Sequence, residues 1–184
     1  MMDFHTHNLN APAGKAIINL PEEALRNPAS FCFRPDCMYS AGIHPWWTNE
    51  KSPQADYMES LVYLTRLPQV VAIGECGFDR LRGDWSVQQQ IFPLQIALAE
   101  RHRLPVILHC VRAFDVLLSE HKRLKPTTPW IVHGFRGKPA LAQQLLSAGL
   151  DLSFGEHYNK QSFLMTPASR RHIESDDGNL PHLD

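Results

Sequence analysis

The sequence predicts an α/β fold, a TIM-type (β/α) barrel forming one domain over residues 1–184, and a lean one. Three observations carry this expectation. Eight short strand-like runs, at 2–7, 15–20, 38–44, 70–76, 105–111, 130–134, 150–155 and 172–176, are spread along the chain, with helical patterns between the later ones. The runs 15–20 and 105–111 are continuous and apolar, as expected of strands buried on both faces. Five runs also end on His, Glu or Asp, the arrangement by which a barrel collects a polar site at one mouth.

The elements follow in order. The first run, Met1-Met2-Asp3-Phe4-His5-Thr6-His7, is separated from Lys15 by only seven residues, too few for a crossover helix. Residues 38–44 lead into Gly42-Ile43-His44-Pro45, and residues 55–66 put Met58, Leu61, Val62 and Thr65 at helical spacing. The fourth run closes on Glu75. Residues 86–103 carry the stripe Val87, Ile91, Leu94 and Leu98, with Ser86 and Gln89 spaced as a capping box. Pro93 inside that stretch predicts a later start or a kink. Residues 113–123 place Phe114, Leu117, Leu118 and His121 on one side, and 139–148 begin at Pro139 and stop before Gly149. Residues 155–171 read as short and irregular, and nothing helical follows 172–176. Because 184 residues fall below the roughly 200 at the low end for such barrels, the closing helix is expected to be missing. Its absence would expose an apolar strip beside the first and last strands and favour a homodimer or a weakly stable monomer.

Composition narrows the function classes. A 43% apolar, 20% charged chain of net charge −1 is ordinary globular material without a basic field for nucleic acid, although a local basic rim stays open. No apolar stretch approaches the ~20 residues of a membrane span, and no charged-then-apolar leader precedes Asp3-Phe4-His5, so a cytoplasmic location is expected. Cys32, Cys37, Cys76 and Cys110 are irregularly spaced, which suits reduced thiols better than a zinc site.

The chemistry lies in the strand-end residues. His5 and His7 sit at i and i+2 of a strand and face one space. Glu75, flanked by Gly74 and followed by Cys76-Gly77, is costly to bury unpaired; its partner is either a cation such as Arg80 or Arg82, or a metal. One strand-end His is usually a hydrogen-bonded core residue, but His109 and His133 end successive strands. Asp176 ends the last run with Asp177 beside it, and strand alternation would turn one of the two away. His44 reads either as a turn residue held by Pro45 or as a group facing substrate. Imidazoles with carboxylates and no paired cysteines suit zinc, manganese, iron or magnesium in a hydrolytic site. No phosphate-cradling glycine loop, Gly-x-Ser-x-Gly elbow or dinucleotide fingerprint is present.

Six segments occur in the order and approximate spacing of the TatD family: His5-x-His7, Gly42-Ile43-His44-Pro45, Ile73-Gly74-Glu75-Cys76-Gly77-Phe78-Asp79, His109-Cys110-Val111-Arg112, His133-Gly134-Phe135-Arg136-Gly137 and Glu174-Ser175-Asp176. The chain resembles that family over essentially its whole length. The resemblance implies a metal-dependent deoxyribonuclease of the amidohydrolase superfamily, with DNA as substrate and two divalent ions (Zn, Mn or Mg). By resemblance His5, His7 and Asp176 hold one ion, His109 and His133 the other, and Glu75 bridges them. Such ions sit about 3.5–4 Å apart and activate a water. Glu75 and Asp176 are then the catalytic residues, with Asp176 orienting that water, and His44 and Arg136 lie toward the substrate. Glu174 and Asp177 are expected to tolerate amide replacement better than Asp176, with Glu174 the weaker control because it shares the strand parity of Asp176. The sequence departs from the family at Arg136, where a cation stands beside the sixth-strand ligand, and at Asp177-Gly178. Family chains also continue past the aspartate, whereas Asp184 follows it by eight residues. Two other readings stay open: a hydrolase of a small ester or amide using the same site, and an inactive barrel that only binds metal.

Overall fold

The computed structural model describes residues 2–49 and 54–182; Met1, which opens the first predicted run, and the terminal Asp184 lie outside them. Eight strands stand in sequence order: β1 (Asp3–Thr6), β2 (Ala16–Asn19), β3 (Met38–Ala41), β4 (Val70–Asp79), β5 (Val106–Val111), β6 (Trp130–Val132), β7 (Asp151–Phe154) and β8 (Arg171–Ile173). Each is parallel to the next. The ring closes just past β8, where Asp176 N–H donates to the His5 carbonyl at 3.0 Å and His7 N–H donates to the Asp176 carbonyl at 3.1 Å. Helices α1 (Glu22–Arg26), α2 (Gln54–Leu64), α3 (Trp85–His102), α4 (Phe114–Leu124), α5 (Pro139–Ala148) and α6 (Lys160–Met165) occupy the crossovers after β2. β1 passes to β2 without a helix, as the short spacing requires.

Strand alternation divides the apolar residues into two cores. Ile18, Tyr39, Leu108, Val132 and Leu152 face outward and pack with Leu61, Phe92, Leu117 and Leu145 of the helices. Ile17, Ala72 and Ile107 form a separate inner cluster, completed by Phe4, Met38 and Val71. Two positions further along β2, β3 and β5 the same inward parity brings Asn19, Ser40 and His109, so the lumen turns from apolar to polar toward the carboxyl ends of the strands.

Several expectations are corrected. Helix α3 is capped not by Ser86 but by Asp84, whose side chain accepts from Val87 N–H at 2.9 Å, and it runs through Pro93 from Trp85 to His102. The stretch 155–171 contains α6, whose six residues are too few to show helical periodicity in the sequence. Beside β1 and β8 lies a mixed groove of about 560 Å³, in which Asp3, Thr6, Lys15 and Ser175 stand among Ala11, Pro12 and Leu180.

Gly77 explains why glycines flank Glu75. Its φ is +136°, and a Cβ there would lie 2.1 Å from the His109 carbonyl oxygen. What comes close at this glycine is the β5 backbone rather than a ligand, and that approach sets β4 against the strand carrying His109.

Candidate metal centre

The strands deliver their polar ends to one point. His5 lies on β1 with His7 just after it, Glu75 on β4 and His109 on β5, while His133 and Asp176 lie just beyond β6 and β8. Glu75 is the hub. Its Oε1 is 3.3 Å from His5 Nε2 and 2.9 Å from His7 Nε2. Its Oε2 is 2.7 Å from His133 Nε2, 3.5 Å from His109 Nδ1 and 3.6 Å from His44 Nε2. Asp176 Oδ1 lies 3.7 Å from His5 Nε2 and 3.5 Å from His7 Nε2. Asn19 fixes the hub from below, its Oδ1 accepting from Glu75 N–H at 2.9 Å and from Ser40 Oγ at 3.0 Å. His133 also joins His5 and Asp176 in one group whose ligand atoms lie within 4.8 Å of one another, so it borders both halves of the site.

These residues fit divalent cations on chemical grounds. Both ring nitrogens of His5 and Oε1 of Glu75 are buried, yet none has a partner in hydrogen-bond geometry. Buried polar atoms seldom stay unsatisfied, and imidazole nitrogens converging with a carboxylate oxygen form a cation-binding donor set. Electrostatics agree. Burial by itself would raise the Glu75 carboxyl, but the imidazoles of His133, His5 and His109 around it hold it well below the usual carboxylate range. Burial would likewise depress His133, and the charges of Glu75 and Glu174 outweigh it and raise the imidazole well above its ordinary value. His44, chiefly through burial, is lowered and so favours a neutral ring.

Carboxylates behind the imidazoles were not assigned roles from the sequence. Asp79 Oδ2 is 3.1 Å from His109 Nε2 and accepts from Trp46 Nε1 at 2.7 Å, while its Oδ1 accepts from Leu81 N–H at 2.7 Å. Because Asp79 can only accept, the His109 proton resides on Nε2 and Nδ1 is left to face Glu75. Glu174, fully buried, lies 3.4 Å from His133 Nδ1 and accepts from Gly134 N–H at 2.5 Å. This contact gives Glu174 a place behind His133 that the sequence leaves unassigned. Asp3 ties the closing loop to β1 by accepting from Ser175 N–H at 2.9 Å and Ser175 Oγ at 2.6 Å. The signal for Asp79 was its place four residues after Glu75 in the same strand; for Glu174 it was its shared parity with Asp176.

The remaining sequence candidates fall as follows. His44 caps the Pro45–Trp47 turn, its Nδ1 accepting from Trp46 N–H at 3.1 Å, and turns Nε2 toward Glu75. Arg136 is exposed and does not line the cleft. Strand parity fails at Asp176 and Asp177: β8 stops at Ile173, Asp176 has φ +53°, and both carboxylates come within reach of His7. Arg80 pairs with Asp115 at 2.8 Å and Arg82 stacks on Trp46, so the partners of Glu75 are histidines. The cleft over the site, about 420 Å³, has an acidic rim of Glu22, Glu23, Asp176 and Asp177, and among the described residues lining it none is Lys or Arg.

A parallel eight-stranded barrel with histidines and carboxylates at the carboxyl ends of its strands is the architecture of metal-dependent hydrolases. Residues 22–177 match the model of the TatD related DNase family, and the chain belongs to that family. It is 38% identical over 137 residues to the 3'-5' ssDNA/RNA exonuclease TatD of Klebsiella pneumoniae (strain 342), covering 72% of this chain and 50% of that protein. It is 35% identical over 122 residues to the uncharacterized metal-dependent hydrolase YjjV of Escherichia coli (strain K12), covering 64% and 47%. The chain thus spans about half the length of the curated relatives it matches. The crystal structure of Escherichia coli YjjV, a TatD homologue, superposes with a TM-score of 0.76 at 25% identity, over 95% of this chain and 78% of that one. A TatD family hydrolase from Entamoeba histolytica shares the fold, with a TM-score of 0.69 at 24% identity over 87% and 59% of the two chains.

Proposed function

We propose that this chain is a metal-dependent phosphodiesterase that trims single-stranded nucleic acid from its 3' end, using two divalent ions that share Glu75. The observation that carries the reading is the division of one buried carboxylate: Oε1 faces His5 and His7, and Oε2 faces His44, His109 and His133. In this reading His5, His7 and Asp176 would hold one ion and His109 and His133 the other. Ions bound there would supply an activated water and neutralise charge on the phosphodiester. The protein's own share is to fix the imidazoles through Asp79 and Glu174, and to receive the water's proton at Asp176. The Asp176 side chain is 29% exposed at the mouth, open enough to meet that water. The acidic rim makes phosphate entry depend on loaded cations.

The test is a 5'-labelled single-stranded DNA oligonucleotide incubated with protein stripped by chelator and then given Mn²⁺ or Mg²⁺. A ladder shortening from the 3' end, absent without metal and absent in Glu75→Gln, is the expected result. Metal binding without phosphodiester turnover would overturn the reading. Turnover of a p-nitrophenyl ester in its place would then favour a small-ester hydrolase.

A further inference from the structure

One large side chain at the mouth takes no part in the ligand set. Trp46 lines the cleft and is 45% exposed; Trp47, which also lines it, is partly buried against the outer core, and Phe135 and Phe154 at nearby strand ends are buried in that core. Trp46 is also held rigidly. It sits in the short Pro45–Trp47 turn capped by His44, and its indole N–H donates to Asp79 Oδ2 at 2.7 Å. The same oxygen faces His109 Nε2 at 3.1 Å, so the indole is anchored to the carboxylate that orients a candidate ligand. The Arg82 guanidinium stacks on the ring at 4.2 Å from its centroid and forms no ion pair among the described residues. An aromatic surface fixed this way has lost its conformational freedom before any ligand arrives, which favours stacking on a flat partner. Every base offers a π-face, and stacking on an aromatic side chain is sequence-tolerant.

We infer that Trp46, stacked with Arg82, is a nucleobase platform that seats the base beside the scissile phosphodiester. This inference rests on the phosphodiesterase reading above. It adds the selection of nucleic acid over a bare phosphodiester, and it supplies a cation beside an otherwise acidic rim.

The experiment compares two oligonucleotides of one sequence, the second abasic at its 3'-terminal nucleotide. Affinity is read by fluorescence anisotropy on Mg²⁺-loaded protein, with the terminal linkage as a phosphorothioate, and kcat/KM is read on the cleavable pair. Wild type is expected to prefer the base-bearing strand by roughly 5- to 150-fold, the span of base–aromatic stacking. Trp46→Ala should erase that preference, and Trp46→Phe, which keeps a ring but loses the bond to Asp79, should retain most of it. If Trp46→Ala slows both strands by one factor and leaves their ratio intact, the indole acts only through Asp79 and the platform is overturned. A wild type without preference overturns it equally. If metal-loaded wild type cleaves neither strand, the phosphodiesterase reading itself falls, a result distinct from cleavage of both strands without preference.

Discussion

Asp79→Asn isolates what a carboxylate behind a ligand contributes. Asp79 accepts three bonds with its two oxygens: Leu81 N–H on Oδ1, and Trp46 Nε1–H and His109 Nε2–H on Oδ2. An asparagine has one carbonyl oxygen. If that oxygen takes the Oδ2 position, the NH₂ group faces Leu81 N–H and a donor is left unsatisfied, costing about 1–3 kcal/mol. If the amide turns over, NH₂ faces Trp46 and His109. The imidazole must then accept at Nε2 and carry its proton on Nδ1, the atom that faces Glu75. A protonated Nδ1 cannot ligate. Either arrangement also removes the charge that raises ligand basicity, so affinity for the ion near His109 should fall about 10- to 100-fold. Under the proposed two-ion arrangement, binding at the His5 and His7 position should be nearly unaffected. Calorimetric titration of chelator-stripped protein with Mn²⁺ resolves the two, and urea denaturation reads the stability loss. Unchanged affinity at both positions, or equal weakening of both, would refute the tautomer argument.

Other outcomes follow from the same geometry. Asp176→Asn should collapse turnover by about 10²- to 10⁴-fold with a smaller loss of metal binding, while Asp177→Asn costs less; initial rates on the labelled oligonucleotide decide, and the reverse order would show Asp177 to be the base. Glu100 binds the backbone and hydroxyls of Thr127 and Thr128, and these bonds, against the opposing effect of burial, lower its carboxyl to about 2. A depressed folded value stabilises above the unfolded pKa and is lost as pH falls from about 4.5 toward 2; screening in this hydrated setting limits it to about 1 kcal/mol. The urea midpoint of wild type should therefore exceed that of Glu100→Gln at pH 6 and converge with it near pH 2. Gly77→Ala should destabilise by more than about 3 kcal/mol, since its Cβ meets the His109 carbonyl at 2.1 Å, whereas Gly14→Ala, at φ +67° with open space around it, should cost about 1–2 kcal/mol. Thermal melts of the two variants compare them directly.

The strands and the residues that close them were legible because a buried parallel strand is a run of apolar residues and a buried His or Glu interrupts it conspicuously. His5, Glu75, His109 and His133 are of this kind. Asp79 and Glu174 were harder, since a carboxylate near a loop has the same appearance in sequence whether it meets water or an imidazole. At Asp176 and Asp177 the sequence misleads about orientation, because alternation holds only while the strand lasts and β8 ends at Ile173. The short helices α1 and α6 complete too few turns to reveal a periodic face. Ser86 offers the more familiar capping spacing in the sequence, but the chain leaves β4 at Asp79 and the helix begins at Trp85, which makes Asp84 the cap.

The join between β1 and the segment after β8 unites residues 170 apart in sequence through a few bonds around Asp176. A cation gripped by His5, His7 and Asp176 would act on this join as a reversible cross-link, closing nearly the whole chain into one loop. The entropy removed from the unfolded ensemble by a closure of that length is of the order a long-loop disulfide removes, about 4–5 kcal/mol before the cost of ordering the ligands. Withdrawing metal should therefore unlatch the barrel at this join before it melts elsewhere. The His7 and Asp176 amides, which hold the join, would exchange with solvent deuterium early in stripped protein and late in loaded protein, making the ion a brace for the wall as well as a tenant of the site.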